Sequence, residues 1–309
     1  MRVIDIENIT YNMRNDTQFV LRCEEVFHDK ISAAAAHILS VRANKPFVAL
    51  TGPSGSGKTT TAMRLKAYLE NLGVPVLMVS MDHFFLDMDK RPPEAVGDWE
   101  SPLCVNVELL TSCLESLSVG KKTEMPWYDF RSGKTGGWNT VQGNPDAIIL
   151  AEGIHMLNPL ILDRIRDRAT GIYVAPRTRI ITADDRVVKP EQIRVARRLL
   201  RDHATRGHSL RDTVARAQSV DVGEQNYIAP YKANAELHID TFHDYELCIL
   251  AKYLREIPQF AQDLTPEFMA EHHLRVLNDV LHVIPPLRTQ YVPQDSLIRE
   301  FVGGSCFTY

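Results

Sequence analysis

The sequence predicts an α/β fold in which a five-stranded parallel sheet is covered by helices on both faces. Short apolar runs alternate with helix-like or polar stretches, and a glycine-rich segment stands between the first of these runs and a helix-like stretch. The runs occupy residues 47–50, 74–80, 147–151, 172–175 and 237–239. With 44% hydrophobic residues among 309, the chain can bury one substantial core and carry extensions at its ends.

The first elements in chain order are a helix and a strand–loop–helix unit. The alanine-rich stretch 33–41 predicts a helix that packs against the central domain. The strand 47–50 leads through the glycine-rich segment into a second helix. Gly73 follows the last periodic residue of that helix, which is typical of a helix C-terminus.

The C-terminal part is predicted to be helical. Thr265, Pro266 and Glu267 read as an N-cap, a first-turn proline and a first-turn acid, and they predict a helix through about Leu281. The Pro285-Pro286 pair ends it. We therefore predict an N-terminal helical extension over residues 1–44, a central domain over 45–256 and a C-terminal helical extension over 257–309.

Composition limits the class of partner. A formal net charge of −4 provides no general basic field for nucleic acid, and no stretch has the uncharged length of a membrane span. The five cysteines are scattered and form no C-x-x-C pair, which suits a reducing cytosol and predicts a cytoplasmic protein. The expected partner is a small molecule, with homo-oligomerisation left open.

The glycine-rich segment is the most specific motif. Residues 52–59 read Gly-Pro-Ser-Gly-Ser-Gly-Lys-Thr, the G-x-x-x-x-G-K-T phosphate loop, so the fold class is that of phosphate-loop NTPases. Its backbone N–H groups would surround phosphates, Lys58 would reach the β- and γ-phosphates, and Thr59 would bind Mg²⁺. The candidate nucleotide-binding residues are Gly52, Ser54, Gly55, Ser56, Gly57, Lys58, Thr59 and Thr60.

Two carboxylates follow apolar strands, at the sheet edge where open α/β sheets build their sites. Asp82 follows the run 74–80 after Met81 and would accept or align the proton of an attacking hydroxyl. Glu152 ends the run 147–151 and is a candidate second Mg²⁺ carboxylate, because this cation prefers one or two protein carboxylates beside substrate phosphates.

An arginine-rich helix follows Pro190. Arg194, Arg198 and Arg201 share one face of it, and Arg206 precedes Gly207. Because like charges on one face repel, this pattern indicates an anion partner. We predict a mobile lid after the fourth strand whose arginines neutralise the transferred phosphoryl group and exclude water.

Together these residues resemble the uridine kinase and phosphoribulokinase family of phosphate-loop kinases, from about Lys45 to Leu254. Further matching segments are 80–85, Pro126-Trp127-Tyr128-Asp129-Phe130, Glu152-Gly153-Ile154, 197–202 with Arg206-Gly207, 227–232 and 235–239. Residues 299–305 are similar to the ending of bacterial uridine-kinase-like proteins.

The resemblance implies transfer of the ATP γ-phosphate to a primary hydroxyl, the 5′-OH of uridine or cytidine in uridine kinase. It makes Asp82 the base, Lys58 and Thr59 the triphosphate and Mg²⁺ residues, and Glu152 the second metal carboxylate. Tyr128 and Phe130 would line the acceptor pocket. Arg198, Arg201 and Arg206 would be the lid arginines, with Arg198 and Arg201 catalytic and Arg206 at the nucleotide.

The acceptor remains open at this point. Pyrimidine nucleoside kinases of the family carry a base-contacting histidine where this chain has Gly133. A metabolite kinase of phosphoribulokinase type is a second hypothesis, with Arg91, Arg131 and Lys134 as candidates to bind a phosphorylated acceptor. A third is a regulatory protein that binds ATP without turnover, although retention of Asp82 argues for catalysis.

Overall fold

The structure, a computed structural model, describes residues 2–309. Its strands are β1 (Val3–Asp5), β2 (Phe47–Thr51), β3 (Val76–Ser80), β4 (Lys122–Asp129), β5 (Lys134–Gln142), β6 (Ile148–Glu152), β7 (Ala169–Ala175), β8 (Arg179–Ile181), β9 (Val187–Val188) and β10 (Leu237–Asp240). Its α-helices are α1 (Ile6–Asn12), α2 (Asp16–Val41), α3 (Lys58–Asn71), α4 (Val107–Ser118), α5 (Pro159–Leu162), α6 (Pro190–Arg206), α7 (Leu210–Ala215), α8 (Ala217–Tyr227), α9 (Glu246–Glu256), α10 (Phe260–Asp263), α11 (Pro266–Glu271), α12 (Arg275–Val283) and α13 (Arg299–Val302).

The central sheet has five parallel strands in the order β10-β7-β2-β6-β3. This confirms the predicted fold class, and each of the five apolar runs lies on one of these strands. Every residue of β2 and β6 is buried, as expected for central strands covered on both faces. Their side chains alternate between the two cores of the molecule.

One core lies between the sheet and the helices α2, α3, α6, α9 and α12, and it takes Val48 and Leu50 from β2. The other lies between the sheet and α4, α5 and β4, and it takes Phe47 and Ala49 from the same strand. The predicted helix at 33–41 is the second half of α2, which packs against α3 on the first of these faces. The helices thus cover both faces of the sheet.

Two small sheets were not expected from the sequence. β4 and β5 form an antiparallel hairpin, and β1 pairs in parallel with β8, which pairs in turn with β9. None of the β5 side chains is buried. The sequence of β5 therefore lacks the alternation of apolar and polar residues that would distinguish a strand from a polar loop. β1 is only three residues long and depends on a partner far along the chain.

The predicted single helix from Pro266 to about Leu281 is wrong. It begins as predicted, with the Thr265 hydroxyl accepting a hydrogen bond from the N–H of Phe268, but it breaks between α11 and α12. His273 adopts a left-handed backbone conformation with φ of 58°, and its carbonyl accepts a 2.8 Å hydrogen bond from Gln192 Nε2 on α6. A long-range contact therefore holds the break, and local sequence does not reveal it.

A buried polar network joins both ends of the chain to the central domain. Glu24 of α2 accepts hydrogen bonds from Tyr245 and Ser296, each at 2.6 Å, and pairs with Arg64 of α3 at 3.0 Å. The N-terminal helix, the helix after the phosphate loop and the C-terminal segment meet at this one carboxylate. Within residues 2–309, no helix combines the length and the apolar character needed to cross a bilayer.

Candidate active site

The phosphate loop (residues 52–59) connects β2 to α3, and its glycines are required by space and backbone geometry. A Cβ at Gly52 would lie 2.0 Å from the carbonyl oxygen of Val174. Gly55 and Gly57 have φ of +77° and +83°, and Gly57 directly precedes α3. The loop backbone is thus held close to the sheet with the N-terminus of α3 facing the space above it, an arrangement suited to anions.

Lys58 and Thr59 occupy the first turn of α3. The Lys58 ammonium folds back over the loop and donates to the carbonyl of Pro53 at 3.3 Å. Thr60 is fully buried, and its hydroxyl donates to Glu300 Oε2 at 2.5 Å and lies 3.0 Å from the hydroxyl of Tyr309. The C-terminal segment therefore reaches the phosphate loop, which the sequence did not predict.

Asp82 and Glu152 lie at the carboxyl ends of neighbouring strands. Asp82 is in the 3-10 turn Met81–Phe84 after β3, and Glu152 pairs in register with Ser80, whose hydroxyl donates to it at 2.7 Å. Burial and the charge of Asp82 raise the pKa of Glu152 above its usual range, and Lys58 opposes the shift. Two carboxylates and the phosphate-loop lysine therefore share one electrostatic environment.

Arg198 of α6 lies over the phosphate loop. Its side chain is 3% exposed, and within residues 2–309 its Nη1 and Nη2 have no hydrogen-bond partner. A Cβ at Gly55 would come within 3.3 Å of its Cγ. Burial and the nearby Arg194 lower the pKa of Arg198 to about 10. A buried guanidinium without a partner is costly unless a ligand supplies the missing anion.

The other arginines of α6 have different roles. Arg197 is fully buried, pairs with Glu246 at 2.8 Å and donates to the phosphate-loop carbonyls of Gly55 and Ser56 at 3.1 Å. Arg194 pairs with Glu224 and fastens α6 to α8. These two arginines form ion pairs within the protein, so only some of the arginines of α6 are available for a ligand.

Arg201 and Arg206 lie farther along α6. Both pair with Asp202, at 2.9 and 3.4 Å. The Arg206 side chain is 55% exposed, so its partial desolvation together with Arg201 lowers its pKa only against the opposing carboxylates of Asp202, Asp82 and Glu100. We define the lid as α6–α8. Arg206 therefore belongs to the lid and lies close enough to Asp82 and Glu100 to feel their charges.

Tyr128 and Phe130 lie at the end of the β4–β5 hairpin beside Phe85, which directly follows the turn that carries Asp82. The ring centroids of the three aromatic residues are 5.0–5.8 Å apart. Tyr128 is 4% exposed, whereas Phe130 is 54% exposed. His83, for which no catalytic role was predicted, accepts from the backbone N–H of Tyr128 at 3.5 Å and so positions the hairpin.

The site fits a triphosphate and a hard cation. The glycine cradle, Lys58 and the free guanidinium of Arg198 match phosphate oxygens. Within residues 2–309, no group of three or more His, Cys, Asp or Glu side chains could hold a metal by itself. Thr59 and Glu152 could supply two oxygen ligands, a number with which Mg²⁺ is typically bound when substrate phosphates and water complete its shell.

Known proteins share this architecture. A sequence profile of the Phosphoribulokinase / Uridine kinase family matches residues 47–247, which is more than half of the chain. The chain belongs to this family. It is therefore a phosphate-loop kinase.

Relatives of the family support the same assignment. A uridine kinase of Ligilactobacillus salivarius is 32% identical over 201 residues, covering 63% of this chain and 85% of the relative. One from Limosilactobacillus reuteri is 28% identical over 229 residues, covering 71% and 95%. The crystal structure of a putative fructose transport system kinase from Silicibacter sp. has a TM-score of 0.53 at 22% identity, covering 68% of this chain and 98% of that one, and shows a shared fold alone.

Glu100 and His155, which the sequence did not predict as site residues, lie close enough to Lys58 to feel its charge. Glu100 has one carboxylate oxygen buried without a partner within residues 2–309. Burial raises its pKa, and Lys58 and Arg198 oppose the shift. His155 is fully buried, and neither ring nitrogen has a partner in the described chain. Glu100 lies in a loop without periodic pattern. The only signal for His155 was its place just after Glu152.

Gly133 lies where the resemblance predicts a base-contacting histidine, and the local backbone disfavours a side chain at this position. Gly133 has φ of +67°, and a Cβ would lie 2.4 Å from Met88 Sδ. Met88 thus occupies the space on this side of the hairpin turn. Any recognition of the acceptor has to come from other residues.

Proposed function

We propose that this protein uses Mg²⁺·ATP to phosphorylate a primary hydroxyl of a nucleoside, in the manner of uridine or cytidine kinases. The observation that carries the proposal is the position of Asp82 and Glu152 at the ends of neighbouring strands, close enough to Lys58 to feel its charge, with the unpartnered guanidinium of Arg198 against the phosphate loop. A carboxylate at a strand end beside the phosphate loop can accept the proton of an attacking hydroxyl. A protein that only binds ATP does not need such a proton acceptor.

The phosphate loop would bind the triphosphate through its backbone N–H groups and Lys58. Thr59 and Glu152 would hold Mg²⁺. The metal supplies neutralisation of phosphate charge during transfer. Arg198 and Arg201 would donate to the transferred group, and Arg206 would face the nucleotide from the lid.

Asp82 would accept the proton of the attacking hydroxyl. The hydroxyl oxygen forms a bond to the γ-phosphorus while the bond between that phosphorus and the β–γ bridging oxygen breaks, and ADP leaves with the electron pair. Glu100 would accept hydrogen bonds from further hydroxyls of the acceptor, since its free oxygen is close enough to Asp82 to feel its charge. Tyr128 and Phe130 would contact the rest of the acceptor.

The test is an ADP-release assay with Mg²⁺·ATP against nucleosides, phosphorylated sugars and small hydroxy acids, with ADP affinity measured separately. Asp82→Asn should keep nucleotide binding and lower turnover at least about a hundredfold, because the proton acceptor is lost. Lys58→Ala should weaken nucleotide binding itself. Asp89→Asn, a change of an exposed aspartate in the following loop, is the matched control and should behave as wild type.

If Asp82→Asn turned over substrate as fast as wild type, Asp82 would not be the group that accepts the proton of the hydroxyl. Turnover only with acceptors that contain no nucleoside would favour a metabolite kinase. Tight nucleotide binding without turnover of any acceptor would favour a regulatory ATP-binding protein.

A further inference from the structure

Arg91 is a cation held in place without a carboxylate partner in the described part of the chain. Its Nε donates to the carbonyl of Leu86 at 3.3 Å and its Nη2 to the hydroxyl of Tyr128 at 3.1 Å. Its guanidinium lies 4.1 Å from the ring centroid of Trp99 and 5.7 Å from that of Phe85. A guanidinium has five N–H donors and pairs most strongly with an anion, and no carboxylate of residues 2–309 forms an ion pair with Arg91.

The place of Arg91 connects it to the proposed acceptor site. Phe85 follows the turn that carries Asp82, and it contacts both Tyr128 and Arg91. Trp99, on which Arg91 stacks, directly precedes Glu100. One connected cluster, called the wall here, is therefore linked through the chain to both carboxylates; its members are Phe85, Arg91, Trp99, Tyr128 and Phe130.

The wall presents aromatic rings to solvent. Trp99 is 42% exposed and Phe130 is 54% exposed, although both are large apolar side chains that usually bury more of their surface. Open aromatic rings beside a guanidinium plane provide a surface on which a flat ring can stack. Of the three cations considered for a phosphorylated acceptor, Arg131 and Lys134 are exposed at the hairpin turn, and only Arg91 belongs to this wall.

The direction of the hydrogen bond from Arg91 to Tyr128 determines which ligand atoms these two side chains can bind. A guanidinium only donates hydrogen bonds. Because the Tyr128 oxygen accepts from Arg91, its own hydroxyl proton also remains available to donate. The ligand atom that meets this pair must therefore be an acceptor, such as a carbonyl or anionic oxygen, and an amino group would place donors against donors.

A neutral carbonyl fits the surroundings better than a phosphate. Glu100, the chain neighbour of Trp99, lies close enough to Asp82 and Asp98 to feel their charges, and these three carboxylates repel a multiply charged acceptor. The exposed aromatic faces add stacking, which an open-chain phosphorylated sugar cannot use.

We propose that Arg91, together with Tyr128, recognises a carbonyl oxygen on a planar ring of the acceptor and selects keto-bearing rings over rings with an amino group at that place. This inference rests on the proposed nucleoside kinase function and names the group that determines its specificity. Arg91 would perform the recognition that no side chain at position 133 can perform.

The experiment compares kcat/KM for uridine and cytidine, which differ in the keto or amino group on ring C4. Wild type should prefer uridine by at least about tenfold, because a site built around donors rejects the analogue that offers no acceptor. Arg91→Gln should lower kcat/KM for uridine by about tenfold or more and leave cytidine within about threefold, so that the ratio falls towards one. The KM for ATP and the affinity for ADP should not change.

Two further variants make the result specific. Arg91→Lys keeps the charge and loses the fork of donors, so it should keep part of the preference for uridine even if Arg91→Gln folds poorly. Lys122→Gln removes an exposed cation from the far end of the same hairpin and should leave the ratio unchanged.

The outcomes separate this inference from the function on which it rests. Equal use of uridine and cytidine, or a ratio that Arg91→Gln does not alter, overturns the role of Arg91 and leaves the nucleoside kinase intact. Turnover restricted to phosphorylated or carboxylated acceptors overturns the planar-ring inference and the nucleoside proposal together. If the protein binds ADP but phosphorylates no acceptor, it is not a kinase under these conditions, and both the nucleoside kinase proposal and the role of Arg91 are overturned.

Discussion

At the scale of single residues, three polar side chains near the site have buried atoms without a protein partner. Arg198, Glu100 and His155 each have at least one such atom within residues 2–309. Each costs free energy in the ligand-free protein, because water has been removed and no hydrogen bond replaces it. Such groups are retained where a ligand supplies the missing partner.

His155 provides a pH-dependent prediction. Burial lowers the pKa of this histidine from 6.5 to about 4. Between those pH values the unfolded chain binds one more proton at this residue than the folded chain. Its contribution therefore makes the folded state less stable as pH falls from 6.5 towards 4, by up to roughly 3 kcal/mol.

The measurement is urea unfolding between pH 4 and pH 7 for wild type and His155→Phe. Phenylalanine keeps a ring against Tyr227, whose centroid lies 6.4 Å from that of His155, and it removes the proton. The variant should show a shallower loss of stability on acidification. Identical slopes in the two proteins would mean that His155 is not buried as a neutral group.

At the scale of elements, helix α6 combines a structural and a ligand-facing set of arginines. Arg197 is hydrogen-bonded to Glu246 and to the carbonyls of the phosphate loop, whereas Arg198, one residue later, faces the space above that loop. A one-residue step turns a side chain by about 100° around a helix, so neighbours point to different surroundings. The same helix thus supports the loop and completes the site.

The C-terminal segment 296–309 is the second element that shapes the site. Leu297 packs against the phosphate loop so closely that a Cβ at Gly57 would lie 2.5 Å from its Cδ1. Glu300 accepts the hydrogen bond of Thr60, and Phe301 lies under the Arg197 guanidinium at 5.1 Å. An acidic residue therefore stands beside a loop that binds anions.

Removal of this charge should affect nucleotide affinity. Glu300→Gln should tighten ADP and ATP binding by about three- to tenfold, because a carboxylate near the loop repels phosphates and the amide keeps an oxygen for Thr60. Calorimetric titration at two salt concentrations measures the effect, which should shrink as salt is raised. Glu256→Gln, on the surface of α9, is the control and should bind as wild type. Weaker binding by Glu300→Gln would show that this carboxylate helps to hold the nucleotide.

At the scale of the whole molecule, the chain termini are part of the same packed unit as the sheet. Glu24 of α2 joins Arg64, Tyr245 and Ser296, which belong to three other parts of the chain. Both ends of the chain therefore contribute to the folding of the region around the phosphate loop.

Glu24→Gln should lower the free energy of unfolding by roughly 3 kcal/mol, because the buried Arg64 guanidinium then keeps only its longer 3.7 Å pair with the half-exposed Asp295. Urea denaturation followed by circular dichroism and by tryptophan fluorescence measures this loss. Glu25→Gln changes the exposed neighbour on the same helix and should stay within about 0.5 kcal/mol of wild type. Equal stability of the two variants would mean that the network contributes little to folding.

The sequence by itself determined the parallel sheet and the phosphate loop, and it placed Asp82 and Glu152 at the ends of their strands. These features depend on local periodicity and on glycines whose backbone angles other residues seldom adopt, so they can be read from short segments. The position of Gly73 after α3 followed from the same local rules, and its φ of +78° agrees with them.

The tertiary structure alone decided which arginines form ion pairs within the fold and which face the site. Arg194, Arg197 and Arg198 lie within five residues of one helix, and the sequence does not show which of them have carboxylate partners. It also decided the break at His273, the reach of Glu300 to Thr60 and the stacking of Arg91 on Trp99. Each of these depends on contacts between residues far apart in the chain. Local propensity carries no information about such contacts, and packing of the complete molecule is what brings their atoms together.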